Sequence, residues 1–203
     1  MTSSFAGHIA GLGTTSGTRI VVGMWDASPF GQFADVMIEQ PSGHRILLAP
    51  SQEVADFVAA TYSFDEVRIE PVSITRDTEW SVHTRSLQVR FTPGRALWVS
   101  PVLSLVPARI RRTAWWARWC NPFAGRLMPG VKTYGSAGGG STEWYAATHV
   151  RRLTEARATW EGDELGALAP VTPPVRFGFA SSPAQPTLTT LTSYVRRPGG
   201  VLP

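Results

Sequence analysis

Cysteine and lysine each occur once in this chain of 203 residues. With Cys120 alone, no intrachain disulfide forms and no cysteine-based zinc site can be assembled. With Lys132 as the sole lysine, the net charge of +4 rests on arginine, and the arginines are scattered apart from Arg109, Arg111, Arg112 and Arg118. Nucleic-acid surfaces gather their basic groups on one face or in a run, so no nucleic-acid partner is expected. Charged residues make up only 17% of the chain, which excludes disorder by charge excess. No stretch approaches the roughly 18 consecutive apolar residues of a membrane-spanning helix. Residues 1–17 lack the basic start and apolar stretch of a secretory signal. Together these absences lead to the expectation of a cytoplasmic protein.

Several catalytic signatures are missing as well. No Gly-Lys-Ser/Thr follows the glycines at 7, 11, 13 and 17 or the Gly135–Gly140 segment, and neither segment follows a strand and opens a helix, as a phosphate loop must. The Gly-x-Ser-x-Gly elbow of serine hydrolases is absent. His8, His44, His83 and His149 are far apart and none has a second ligand at metal spacing. No metal and no cofactor are therefore expected.

What is present reads as one β-rich domain over 1–203, with residues 1–17 partly loose and 196–203 a disordered tail. Arg19–Trp25 is a β-branched run suited to a buried strand. Phe33–Glu39 and His44–Leu48 flank Gln40-Pro41-Ser42-Gly43, a turn that makes them a hairpin. Ser51 is placed to cap a helix from Gln52 to about Ala60, with Val54, Phe57 and Val58 on one stripe. Val67/Ile69 and Val72/Ile74 change parity at Pro71, which indicates a bulge or an edge position. Trp80/Val82 and Leu87/Val89/Phe91 form a second hairpin. Ser100-Pro101 and Asn121-Pro122 open helices in a region cut into three by Pro107 and Pro129. Further strands are expected at Glu143–Val150, Glu155–Trp160, Arg176–Ala180 and Thr187–Val195. The fold class is α+β: a curved or closed, barrel-like antiparallel sheet with short helices inserted around 99–128.

Three sets of residues carry candidate chemistry. Asp26 and Asp35 flank Ser28-Pro29-Phe30-Gly31 at the mouth of a hairpin, a place for a binding site or for Asp side chains that bond local amides. Lys132 is the one basic side chain able to lose its proton and form a Schiff base, with Tyr134 and Glu143 as donor and acceptor if the loop folds back. The alternative is a solvated lysine beside a turn. In Arg109–Cys120, helical spacing puts Ile110, Ala114 and Ala117 on one face and Arg111, Arg112, Trp115, Arg118 and Trp119 on the other. That second face either meets an anionic membrane or an acidic partner, or folds its rings over the core beneath arginine stems.

The stretches Val22–Val36, Gly130–Tyr145 and Pro174–Phe179 resemble an uncharacterised family of actinobacterial proteins, and the likeness covers most of the chain. Ser28-Pro29-Phe30-Gly31 entering a strand with an acidic residue is similar to the opening of acetoacetate-decarboxylase-like β-barrels. That resemblance implies a barrel and, in an active member, a Schiff-base lysine beside acidic groups, a part that only Lys132 can fill.

The reading that follows is a pocket lined by tryptophan and phenylalanine that binds a small organic molecule. Trp25, Asp35, Asp26 and Trp144 are its contacts, and Lys132, Tyr134 and Glu143 stand at the rim. Two other readings differ in class: a lyase or decarboxylase using Lys132, and a scaffold or peripheral membrane module using helix 109–120. The sequence leaves open whether binding leads to chemistry, and it leaves the oligomeric state open.

Overall fold

A computed structural model describes residues 2–127, 130–178 and 182–197. The first half of the chain runs β1 (Thr2–Thr14), β2 (Arg19–Ala27), β3 (Phe33–Glu39), β4 (Arg45–Ala49), α1 (Gln52–Thr61), β5 (Glu66–Ile69), β6 (Ser73–Arg76), β7 (Trp80–His83) and β8 (Leu87–Ala96). A helical layer follows, α2 (Val99–Leu105), α3 (Ala108–Arg111) and α4 (Ala114–Leu127). The chain then completes the sheet with β9 (Tyr134–Ser136), β10 (Thr142–Trp160), β11 (Asp163–Ala169) and β12 (Thr187–Arg196).

All twelve strands belong to one sheet, ordered β5-β4-β3-β2-β1-β11-β10-β8-β7-β6. Strand β12 lies beside β11 in the same gap, between β1 and β10, and β9 flanks β10. The pairs are antiparallel except β4–β5, which is parallel because helix α1 carries the chain back before β5 begins. The expected all-antiparallel sheet is therefore a mixed one.

The edge strands β5 and β6 are separated by only Glu70, Pro71 and Val72, four Cα steps, or at most about 15 Å. The sheet must curl back on itself to bring its edges that close. Contacts between distant strands confirm the curl: the His8 and Trp80 rings meet at 5.2 Å, and Arg76 of β6 pairs with Asp26 of β2 at 2.6 Å. Closure stops there, since β5 and β6 do not pair among the described residues. Pro71, which cannot donate to a ladder, sits in the break.

Alternation along the strands sorts residues to two faces. Leu12, Val22, Met24, Val36, Ile38, Leu48, Val89 and Phe91 fill the concave side with no exposed surface. The opposite face carries a second core under α1: Phe5, Val21, Met37 and Leu47 meet Val54, Phe57 and Val58. Helix α1 starts where Ser51 accepts the Val54 N–H at 3.3 Å. A buried cluster pins the 175–177 segment beside it: Glu39, wholly buried, pairs with Arg19 at 3.1 Å and takes both the Arg176 backbone N–H and Nε at 2.7 Å.

Five further expectations need correction. Residues 2–14 are a central strand rather than a loose segment. Their glycines allow close backbone approach, and a Cβ at Gly7 would run into the Met24 carbonyl. The strands foreseen at 143–150 and 155–160 are one 19-residue strand whose pairing register slips at 147/149, 151/153 and 153/155. Pro122 lies inside α4 instead of starting a helix; Asn121 turns its Oδ1 to the Thr133 and Tyr134 backbone amides. Of the tail, Arg196 ends β12 and Arg197 donates to the Phe57 carbonyl at 3.0 Å, while 198–203 lie outside the described residues. Residues 176–178 form no strand, and 179–180 lie outside the described residues.

Candidate functional site

The concave interior of the sheet is filled, and two cavities lie on the other face, between the sheet and its helices. The first cavity, about 50 Å³, is walled by alternate residues of β1, β2, β3, β10 and β12 and closed by Phe57, Val58 and Tyr62. Phe5 touches Trp25, Phe30, Phe33 and Phe57 with ring centroids 5.0–6.4 Å apart. Into this aromatic wall project two carboxylates, Asp35 and Glu143, each 2% exposed.

Asp35 accepts the Trp25 indole N–H at 3.0 Å. Burial pushes its carboxyl up to about 7, with the indole bond opposing only in part. Glu143 sits in a richer network. Ser193 donates to Oε1 at 2.7 Å, and the Tyr62 hydroxyl lies 2.9 and 2.7 Å from the two oxygens. Tyr145 is hydrogen-bonded to both Glu143 and Tyr62. Burial lifts Glu143 to about 6 while these hydroxyls hold it down, and desolvation beside a carboxylate raises both phenols well above their ordinary value. Near neutral pH the site thus holds two carboxyl groups poised between charged and neutral forms, a pattern suited to accepting a proton or a hydrogen bond.

A second cavity, about 130 Å³, adjoins the first and shares Ile9 and Tyr145 as walls. Its floor is β1, β10 and β12, and its roof is Val99 and Leu103 of α2 with Ala124 of α4. The lining is almost wholly apolar. Among its few polar groups is Ser182, 4% exposed, with its hydroxyl lacking any hydrogen-bond partner among the described residues. For scale, an apolar cavity of about 150 Å³ accepts benzene.

The structure gathers only some of the residues singled out in the sequence. Trp25, Asp35 and Glu143 line the first cavity. Asp26 points to the opposite side of β2, exposed and paired with Arg76. Trp144 is buried but stacks on Tyr194 at 5.2 Å and donates to the Arg112 carbonyl at 3.0 Å, away from both cavities. Tyr134 stands opposite Trp144 in the β9–β10 register, so it faces away from Glu143. Lys132 is exposed at the rim of the second cavity, and Glu143 has hydroxyls rather than that lysine as partners. In the helical layer, Arg111 is tied to the Leu103 and Val106 carbonyls at 3.1 and 3.2 Å, whereas Arg112, Trp115, Arg118 and Trp119 face outward. Among the described residues no three His, Cys, Asp or Glu side chains are placed to hold a metal ion.

Tyr62, Tyr145, Ser193 and Ser182 were not foreseen. For Tyr145 a signal existed: it lies two positions from Glu143 and so on the same face of any strand that holds both.

Among the described residues no helix is long and apolar enough to cross a membrane. No protein family, curated protein or solved structure matches the chain.

Proposed function

We propose that the chain binds a small, largely apolar organic molecule between the sheet and its helices. The body of the ligand sits against Ile9 and Leu191, and its polar end reaches Asp35 and the Glu143–Tyr145 pair. The observation that carries this reading is the pair of adjoining apolar cavities with two fully buried carboxylates set into one of them. Unlike Glu39, which pairs with Arg19 and Arg176, neither has an ion-pair partner among the described residues, so each bears the desolvation cost of its charged form. The Ser182 hydroxyl in the second cavity, without a partner among the described residues, supports the same conclusion, because buried polar groups are ordinarily satisfied. Lys132 is exposed, so the observations favour binding over Schiff-base chemistry.

Native mass spectrometry of the protein as purified tests the proposal. A bound small-molecule mass that is lost in Ala147→Phe, a substitution on the wall of the larger cavity, is the expected result. Identical spectra from the two proteins, with or without an adduct, contradict it.

A further inference from the structure

Nine large apolar side chains are exposed among the described residues, and seven of them lie between Trp98 and Phe123. Leu105 is 82% exposed, Trp115 68% and Trp119 55%. Exposed apolar side chains concentrated in one segment point to an interaction surface.

Helix α4 shows how the patch is organised. At 100° per residue, Trp115, Arg118, Trp119, Pro122, Phe123 and Arg126 fall on one side. The other side carries the small residues: Ala117 is 1% exposed and Ala124 roofs the larger cavity. The aromatic rings form a ladder, with Trp116 and Trp119 stacked at 5.4 Å and Trp119 against Phe123 at 5.5 Å. Half-buried Trp116 sits at the margin of that ladder.

The charge around the patch has one sign. From Trp80 to Thr142 the sequence contains eight arginines and Lys132 but no aspartate or glutamate. Arg109, Arg112, Arg118 and Arg126 are exposed, and among the described residues none of them pairs with a carboxylate.

We infer that the α2–α4 layer docks on the surface of an anionic lipid bilayer, with Leu105, Trp115, Trp119 and Phe123 entering the headgroup boundary and the arginines facing lipid phosphates. Tryptophan favours that boundary, and interfacial helices pair an apolar side with basic residues. A polyanion such as nucleic acid would take the arginines but leave Leu105 and Val102 with no apolar partner. Three short helices give reversible binding that depends on anionic lipid. This inference does not depend on a ligand in the cavities.

Vesicle sedimentation of the full chain tests it, using phosphatidylcholine alone and phosphatidylcholine mixed with phosphatidylglycerol. The protein should sediment with the anionic vesicles at low salt, weaken as salt rises, and stay in solution with the neutral ones. Arg118→Gln and Arg126→Gln should each lower the partition coefficient about fivefold. Trp115→Ser/Trp119→Ser should also lower it, with the melting temperature unchanged because both rings are exposed. Two results overturn the inference: no binding to anionic vesicles at low salt, or binding that responds to the arginines but not to the tryptophans. The second result would show a surface that reads polyanions rather than a bilayer.

Discussion

Trp25 and Asp35 meet across space that Gly23 leaves open. Gly23 pairs with Asp35 in the β2–β3 register, and a Cβ there would lie 2.5 Å from Asp35 Oδ1 and 2.8 Å from the indole nitrogen. The hydrogen bond between the two side chains, 3.0 Å long, occupies the space that a Cβ at this position would take. Gly23→Ala should break the bond and destabilise the protein, read as a lower melting temperature and a shift in tryptophan emission.

Burial of the same carboxylate sets a pH dependence. The Asp35 carboxyl is raised from 3.8 to about 7 and Glu143 from 4.5 to about 6. Between about pH 4 and 7 the folded protein keeps protons that the unfolded chain has released, so their contribution to stability falls as pH rises. Asp35→Asn keeps an oxygen for the Trp25 indole and removes the titration. It should melt close to the native protein at pH 4 and clearly above it at pH 8. Calorimetry at the two pH values checks this.

Glu143 plays a different part, since three hydroxyls converge on it. Glu143→Ala removes the acceptor of the Ser193 hydroxyl and leaves the Tyr62 and Tyr145 phenols only each other, at about 1–3 kcal/mol for each buried group left unsatisfied. Glu143→Gln keeps one carbonyl oxygen, and a phenol can turn to accept from its amide. Chemical denaturation should rank the proteins native, Gln, then Ala, with the larger gap before Ala.

Ser182 separates a structural role from a ligand role. Because its buried hydroxyl has no partner among the described residues, Ser182→Ala should hold or raise the stability of ligand-free protein by up to about 1 kcal/mol. The same substitution should weaken binding of a ligand that bonds to the hydroxyl. Melting curves with and without the co-purified molecule distinguish the two effects.

Local signals in the sequence led to the elements with strong local chemistry. Pro41 and Gly43 marked the β3–β4 turn, where Gly43 adopts φ 89° and its N–H bonds the Gln40 carbonyl at 2.9 Å. Ser51 marked α1, and the helical insert appears at 99–127 where it was expected around 99–128. Composition misled at residues 2–14, because glycine, serine and threonine suit a loop as well as a strand packed closely between neighbours. Strand β11 was missed: its segment is short, carries Gly166 and holds Asp163 and Glu164 at one end. For the candidate site, Asp35 stood out beside Asp26 at the mouth of a hairpin, Glu143 as a neighbour of Lys132, and Trp25 as part of an aromatic lining. Their true partners come from far along the chain, Tyr62 being 81 residues from Glu143, and only the curl of the sheet brings them together. The grouping of Lys132, Tyr134 and Glu143 failed for a simple reason of register: Tyr134 pairs opposite Trp144, one residue out of phase.

On the proposed function, the ligand space lies outside the sheet, beneath the helices, and not within its curl. Methyl-resolved NMR during a titration with benzene tests this most directly. Shifts are expected at Ile9, Leu103, Val150 and Leu191, which line the larger of the two cavities, with Leu12, Val36 and Leu48 of the filled interior unmoved. Shifts confined to the interior set, or none at saturating benzene, would contradict it.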